Sequence, residues 1–325
     1  MAPTDAPPMK ITEQLQLHSP AGDSAVTIGV FDGVHSGHRH LLSRLISEAD
    51  RHRLTSIVIT FADHPRGVLH PDVAPKLLTT IDERVALLRE TGADLVIPVS
   101  FDKALSTLTA REFAVLLKEH VHMTGLVVGP DFAMGHRREG DGTTLAALGQ
   151  EMGFFVEMIE PLRSVEGPVV RSTSIREAIA EGDMARAAVM LGREYSLAGT
   201  VVKGHGRGSG LGFATANLIV PKGAMVPRDG IYAAWAMVDG ERYMAATSIG
   251  FNPTFEGSGH SIEAHLMEFE GDLYGSEVRL DFVRRLRDEL KFDTVEGLQR
   301  QIDDDVAETR AALEAIRTGS SWVSS

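Results

Sequence analysis

Residues 26–42 read VTIGVFDGVHSGHRHLL. An apolar run leads into a tight Asp32-Gly33 turn, and His35 and His38 then open an amphipathic segment. The pattern predicts a buried strand over residues 25–30 and a helix over residues 38–52, with Leu41, Leu42, Leu45 and Ile46 inward. Two histidines one turn apart at a helix start place ring N–H donors beside unpaired backbone N–H groups and the positive end of the helix dipole. That combination suits a polyanion.

Outward from this unit the same texture repeats. Apolar strands are expected at residues 56–61, 95–99, 126–129 and 154–159. Between them lie helical patterns, two opened by capping boxes, Thr80 with Glu83 and Thr109 with Glu112. Near-continuous apolar strands alternating with helices predict a doubly wound parallel sheet covered on both faces. Two short helices follow, one capped by Ser174 and Glu177 and ending at Gly182, the other running from Asp183 to near Gly192. After that the pattern changes. Strand-like runs at residues 196–203, 230–238, 242–249, 262–269 and 276–282 are separated by Gly-rich turns without helices. They predict an antiparallel β-barrel or sandwich, closed by a terminal helix capped by Asp293 and Glu296. A domain boundary is expected between residues 182 and 196.

Composition narrows the chemistry. The 325 residues suffice for two domains, and a 43% hydrophobic, 24% charged chain is ordinary for a globular protein. Cysteine is absent, which excludes disulfides and thiolate zinc sites and fits a reducing cytoplasm. No run approaches the roughly 18 apolar residues of a membrane span. The opening MAPTDAPPMK has neither the basic nor the apolar region of a signal peptide, so residues 1–20 are expected to be a loose tail. A net charge of −13 argues against nucleic acid as a partner. Any anionic ligand must then be held by local donors. Oligomeric state is not legible in these patterns.

In an open parallel sheet, ligands bind at the carboxyl ends of the strands. The unusual polar residues gather there: Asp32, His35 and His38 after the first strand, His64-Pro65-Arg66 after the second, Asp131-Phe132 and the basic run 136–138 after the fourth. Arg171-Ser172-Thr173-Ser174-Ile175-Arg176 opens a helix after the fifth. Each piece also has a plainer reading. The histidines could be surface residues or zinc ligands, although no third ligand is evident. Ser172 and Thr173 could be caps, and Asp131-Phe132 a turn with a core aromatic. In the second half, residues 203–217 read KGHGRGSGLGFATAN. The glycines, among them Gly204, Gly208 and Gly212, allow close backbone approach to a ligand, or simply make a flexible loop. Thr215 and Asn217, two apart on a strand, would present hard oxygen ligands to one side, as Mg²⁺ prefers. Glu263 on a buried-looking strand reads as a salt-bridge partner or a base.

The segment G-x-F-D-G-x-H-x-G-H, followed by S-T-x-I-R at residues 172–176, resembles the nucleotidylyltransferase signature of prokaryotic bifunctional riboflavin kinase/FMN adenylyltransferases (FAD synthetases). Arg171 stands where that family commonly has serine. The resemblance implies that the phosphate of FMN attacks the α-phosphorus of ATP and pyrophosphate leaves. Gly29, Phe31, Asp32, Gly33 and Gly37 would form the phosphate-binding turn, with His35 and His38 stabilising developing charge. Ser172, Thr173 and Arg176 would hold the β- and γ-phosphates. His64, Pro65, Asp131 and Phe132 would lie near flavin or adenine. The second half resembles the riboflavin kinase module, with its Gly-rich segment before Thr215 and Asn217, I-G-x-N-P-T-F around Asn252 and Thr254, and E-x-H-L at Glu263. That implies Mg²⁺–ATP on Thr215 and Asn217, with Gly204, Gly208, Gly212, Asn252 and Thr254 lining the ATP site. Glu263 would be the base on the ribityl hydroxyl. Residues 286–293, LRDELKFD, match as well. Ala214 replaces the usual proline and Ser209 the usual arginine, two departures that would weaken phosphate handling.

The resemblance spans residues 26–306. It implies an adenylyltransferase domain over residues 21–185 and a kinase domain over residues 186–325. Two rivals stay open: a chain that only adenylylates FMN, and a non-catalytic flavin- or nucleotide-binding regulator.

Overall fold

A computed structural model of the chain describes residues 9–162, 169–203, 215–251 and 260–317. Gly204, Gly208, Ser209, Gly212, Ala214, Asn252 and Thr254 lie outside the described residues. The chain divides into two compact units. One comprises Met1–Pro75 and Thr80–Arg171, the other Lys76–Thr79 and Ser172–Ser325.

In the first unit, α1 (Ile11–Gln16) precedes β1 (Ser24–Gly29), α2 (Ser36–His52), β2 (Thr55–Phe61) and α3 (Pro65–Leu69). Then come α4 (Ile81–Arg89), β3 (Leu95–Val99), α5 (Lys103–Thr107), α6 (Ala110–Val121), β4 (Met123–Val128), α7 (Gly142–Met152) and β5 (Phe155–Met158). The five strands are parallel in the order β3-β2-β1-β4-β5. Successive side chains alternate between the two faces. Val26, Ile28, Ile57 and Ile59 therefore pack with Phe113 and Leu117 of α6 and Leu145 of α7. Ala25, Val58 and Val127 pack on the other face with Leu42, Leu45 and Ala49 of α2 and Leu88 of α4. Both faces are buried under helices, which is the doubly wound architecture the apolar strands called for.

Both expected capping boxes form. The Glu83 N–H donates to Thr80 Oγ1 at 3.2 Å while the Thr80 N–H donates to the Glu83 carboxylate at 2.8 Å. Thr109 and Glu112 repeat the arrangement. The structure departs from the sequence reading at residues 11–16, which are helical rather than loose. Leu15 is fully buried there, and Gln14 Oε1 accepts from the Ser100 N–H at 2.8 Å. Six residues are too few to show a helical period, so tertiary burial decides.

The second unit begins with α8 (Ser172–Glu181) and α9 (Met184–Leu191). It continues through β6 (Tyr195–Val202), β7 (Ala216–Ile219), β8 (Gly230–Val238), β9 (Glu241–Phe251), β10 (His260–Leu266) and β11 (Glu277–Arg287) to α10 (Val295–Arg317). The strands close into an antiparallel barrel in the order β10-β7-β6-β11-β8-β9, which removes exposed strand edges. Tyr195, Tyr232 and Phe282 are among its largest fully buried side chains. Leu313 of α10 packs over Ala233 and Trp235 on β8. Two helix starts differ from expectation. α8 begins at Ser172, so Ser174 lies inside its first turn instead of capping it. At α10 the Thr294 hydroxyl, not Asp293, accepts the Gly297 N–H at 3.1 Å.

Candidate active sites

The strand order fixes where a ligand can enter the first unit. From β1 the chain moves outward through β2 to β3, then crosses back to β4 on the other side of β1. The carboxyl ends of β1 and β4 therefore flank the topological switch point, where connections diverge and leave a crevice. The Phe31–His38 segment follows β1, and Gly129–Phe132 follows β4.

The turn after β1 is tightly wound. Phe31, Gly33 and Val34 have positive φ (51°, 83° and 39°), and Val34 is both β-branched and fully buried. Such conformations in non-glycine residues cost on the order of 1–3 kcal/mol each and persist only where surrounding packing enforces them. Gly29 belongs to the same packing, because a Cβ there would meet the Phe31 ring at 3.0 Å. The turn delivers His35 to the N-cap of α2, where its Nδ1 accepts the His38 backbone N–H at 3.3 Å. An accepting Nδ1 leaves the proton on Nε2, so His35 is a donor through its far nitrogen.

The His35 and His38 rings stack at 3.6 Å, and the Phe31 ring meets His38 edge-on at 5.2 Å. Burial, then His35, then Arg84 push the His38 pKa well below its ordinary 6.5. His38 is therefore an uncharged imidazole at neutral pH. Its Nδ1 is buried with no hydrogen-bond partner among the described residues. Native proteins seldom leave such an atom without a partner, and a bound ligand is one way to supply it. Gly37 keeps this region open: a Cβ there would sit 3.2 Å from the His35 ring and 3.4 Å from the Val170 carbonyl.

Other candidates fall into distinct settings. His64 caps the short α3, its Nδ1 accepting from the Arg66 N–H at 3.1 Å, and Pro65 opens that helix. After β4, Asp131 pairs with Arg171 at 2.9 Å, both side chains exposed. Phe132 packs partly buried against the sheet core. Ser172, Thr173 and Arg176 belong to the second unit, where they open α8 and Arg176 Nε donates to the Lys76 carbonyl at 2.5 Å.

On the barrel, Glu263 of β10 lies directly opposite Asn217 of β7 and Ser248 of β9. Opposed residues share a face, so the carboxylate, carboxamide and hydroxyl form one polar row. Their neighbours Ile262 and Ala264 turn into the barrel core. Asn217 is buried and Glu263 half-buried. Thr215 is half-buried one residue before β7, so the strand alternation expected to align it with Asn217 starts just after it.

Two residues escape the sequence reading. Glu289 places its carboxylate over Gly250, where a Cβ would meet it at 2.4 Å. Burial, Asp229 and Glu263 raise its pKa, against the lowering effect of Arg287. Arg84 lies fully buried beside Asp32. The only hint for Glu289 was its place in LRDELKFD, and Arg84 gave none.

With this geometry in place, family models match both parts of the chain: FAD synthetase over residues 18–174 and riboflavin kinase over residues 191–313. The bifunctional riboflavin kinase/FMN adenylyltransferase of Escherichia coli strain K12 is 36% identical over 88% of this chain and 92% of its own length. That of Listeria monocytogenes is 34% identical over 89% and 92%. A crystal structure described as a macrolide-efflux protein from Streptococcus pneumoniae superposes with a TM-score of 0.82 at 30% identity, covering 90% of this chain and 95% of that one. A doubly wound unit with a histidine-capped switch point, a closed barrel with a Glu–Asn row and near full-length similarity agree, and the chain belongs to the bifunctional riboflavin kinase/FMN adenylyltransferase family.

Proposed function

We propose that the chain makes FAD from riboflavin in two ATP-dependent steps, the kinase step on the barrel and the adenylyl transfer at the switch point of the parallel sheet. The observation that carries the second assignment is the stacked His35–His38 pair at the start of α2, with a buried ring nitrogen that has no partner among the described residues. In adenylyl transfer a phosphate oxygen of FMN attacks the α-phosphorus of ATP, and the bond to the bridging oxygen breaks to release pyrophosphate. The substrate supplies the nucleophile, so the protein positions the groups and stabilises charge. His35 and His38 act as neutral donors on the phosphates, and the turn from Phe31 through Asp32 and Gly33 sets them there. Ser172, Thr173 and Arg176 hold the β- and γ-phosphates. His64, Pro65, Asp131 and Phe132 border the flavin or adenine.

On the barrel, Glu263 takes the proton of the ribityl 5′-hydroxyl as its oxygen attacks the γ-phosphorus, and ADP leaves. The buried carboxamide of Asn217 opposite Glu263, with the hydroxyl of Thr215, offers the hard oxygen donors that Mg²⁺ favours. Thr215 and Asn217 would hold it, and it would neutralise ATP phosphate charge. Gly204, Gly208, Gly212, Asn252 and Thr254 complete the ATP site in this reading. Among the described residues no helix is long and apolar enough to cross a membrane, and ATP and flavin substrates fit a cytoplasmic setting.

The test separates the two steps. His38→Ala is expected to abolish FAD formation from FMN while riboflavin phosphorylation continues. Equal loss of both reactions, with the fold intact, would refute separate sites.

A further inference from the structure

Arg84 is the fourth residue of α4 and is fully buried, which is rare for an arginine. Its Nη1 donates to the Phe61 carbonyl at the end of β2 at 2.7 Å, and its Nη2 lies 3.9 Å from the Asp32 carboxylate. Asp32 is itself only 2% exposed. Withdrawing two charges from water is costly, and a buried ion pair can often be replaced by well-packed apolar residues without loss of stability. An apolar pair of the same volume would serve stability as well. The buried charges therefore have another use, and their place beneath the Phe31–His35 turn says which.

We propose that Arg84 is a positioning residue for adenylyl transfer, holding Asp32 and the turn around it while setting a permanent positive charge behind His35 and His38. This rests on the assignment of the two histidines to the phosphates of ATP. Among the described residues the groups acting on His38 are the His35 ring stacked on it, the Phe31 ring edge and the Arg84 charge, with Asp32 beside Arg84. A guanidinium does not titrate in the working range of an enzyme. The histidines can then stay neutral donors while Arg84 supplies the field that a polyphosphate needs. Arg84 does not touch the reacting atoms. It acts through the turn and through His38.

The experiment uses the full chain and its Arg84→Met variant. FAD formation from FMN, ATP and Mg²⁺ and riboflavin phosphorylation are measured on the same sample. The His38 Cε1–H resonance is titrated by NMR in both proteins. In the parent chain His38 is expected to titrate below 6.5. In the variant, FAD formation should fall at least tenfold, phosphorylation should stay within twofold, and the His38 midpoint should rise. A smaller loss, or an unmoved midpoint, overturns the proposal, since a merely structural role would slow the reaction without raising that midpoint. If Arg84→Met does not fold, Arg84→Gln decides by the same two readouts: FAD formation slowed at least tenfold together with a raised His38 midpoint supports the proposal, and the absence of either overturns it. Failure of the underlying assignment shows separately, as a parent chain that forms no FAD from FMN.

Discussion

His38 carries the sharpest consequences at the scale of single residues. Losing one preorganised donor to developing charge costs about 10²–10³ in rate in comparable sites, so His38→Leu, which leaves no donor, should slow FAD formation by about that factor. Its depressed pKa also has a stability sign. The unfolded chain binds a proton at His38 near pH 6.5, while the folded chain binds it only at lower pH. Unfolding therefore takes up a proton below pH 6.5, and the first unit loses stability on acidification through that window. His38→Gln should lessen this acid sensitivity in melts between pH 7 and 5; an identical pH dependence in variant and parent would contradict it.

Glu263→Gln should lower riboflavin phosphorylation by about 10²–10⁴, the usual worth of a general base, with FAD formation from supplied FMN retained. A normal phosphorylation rate would remove Glu263 as the base. His35, His38 and Glu263 were legible in the sequence because they stand in dense motifs. Arg84 was not. In DERVALLRE it reads as one more charge on a helix surface, and only the placement of α4 against the sheet turns it inward.

Among elements, sequence signals worked where the chemistry is local. The Thr80–Glu83 and Thr109–Glu112 boxes each satisfy helix-start N–H groups with side chains three residues apart. The same spacing at Ser174–Glu177 misled, because α8 starts two residues earlier, at Ser172. The helix α1 was invisible, since burial of Leu15 supports it and no period does. Gly149 in α7 shows packing overruling propensity. Alanine is the better helix former by about 1 kcal/mol, but a Cβ at Gly149 would lie 2.5 Å from the Phe154 carbonyl oxygen and 3.2 Å from Val156. The backbone cannot yield cheaply there, so Gly149→Ala should destabilise the first unit by about 1–3 kcal/mol. A higher melting temperature would show that propensity dominates instead.

For the whole molecule, the change from alternating strands and helices to consecutive strands foretold two architectures, and both are present. Parallel strands buried on both faces give continuous apolar runs, and the barrel gives alternation, so each class wrote a different period into the chain. The path of the chain between units was less legible: Lys76–Thr79 joins the second unit while its neighbours join the first, and Leu77 bridges to Ala224 there. Four residues carry no period that could announce this. Two candidate sites of different chemistry, one proposed for the kinase step and one for adenylyl transfer, imply that the product of one reaction is the substrate of the other. Incubating the purified chain with riboflavin, ATP and Mg²⁺ and separating the flavins over time tests this directly. FMN should appear first and FAD after it. No FMN from riboflavin, with FAD still formed from supplied FMN, would contradict the two-step assignment and leave an adenylyltransferase alone.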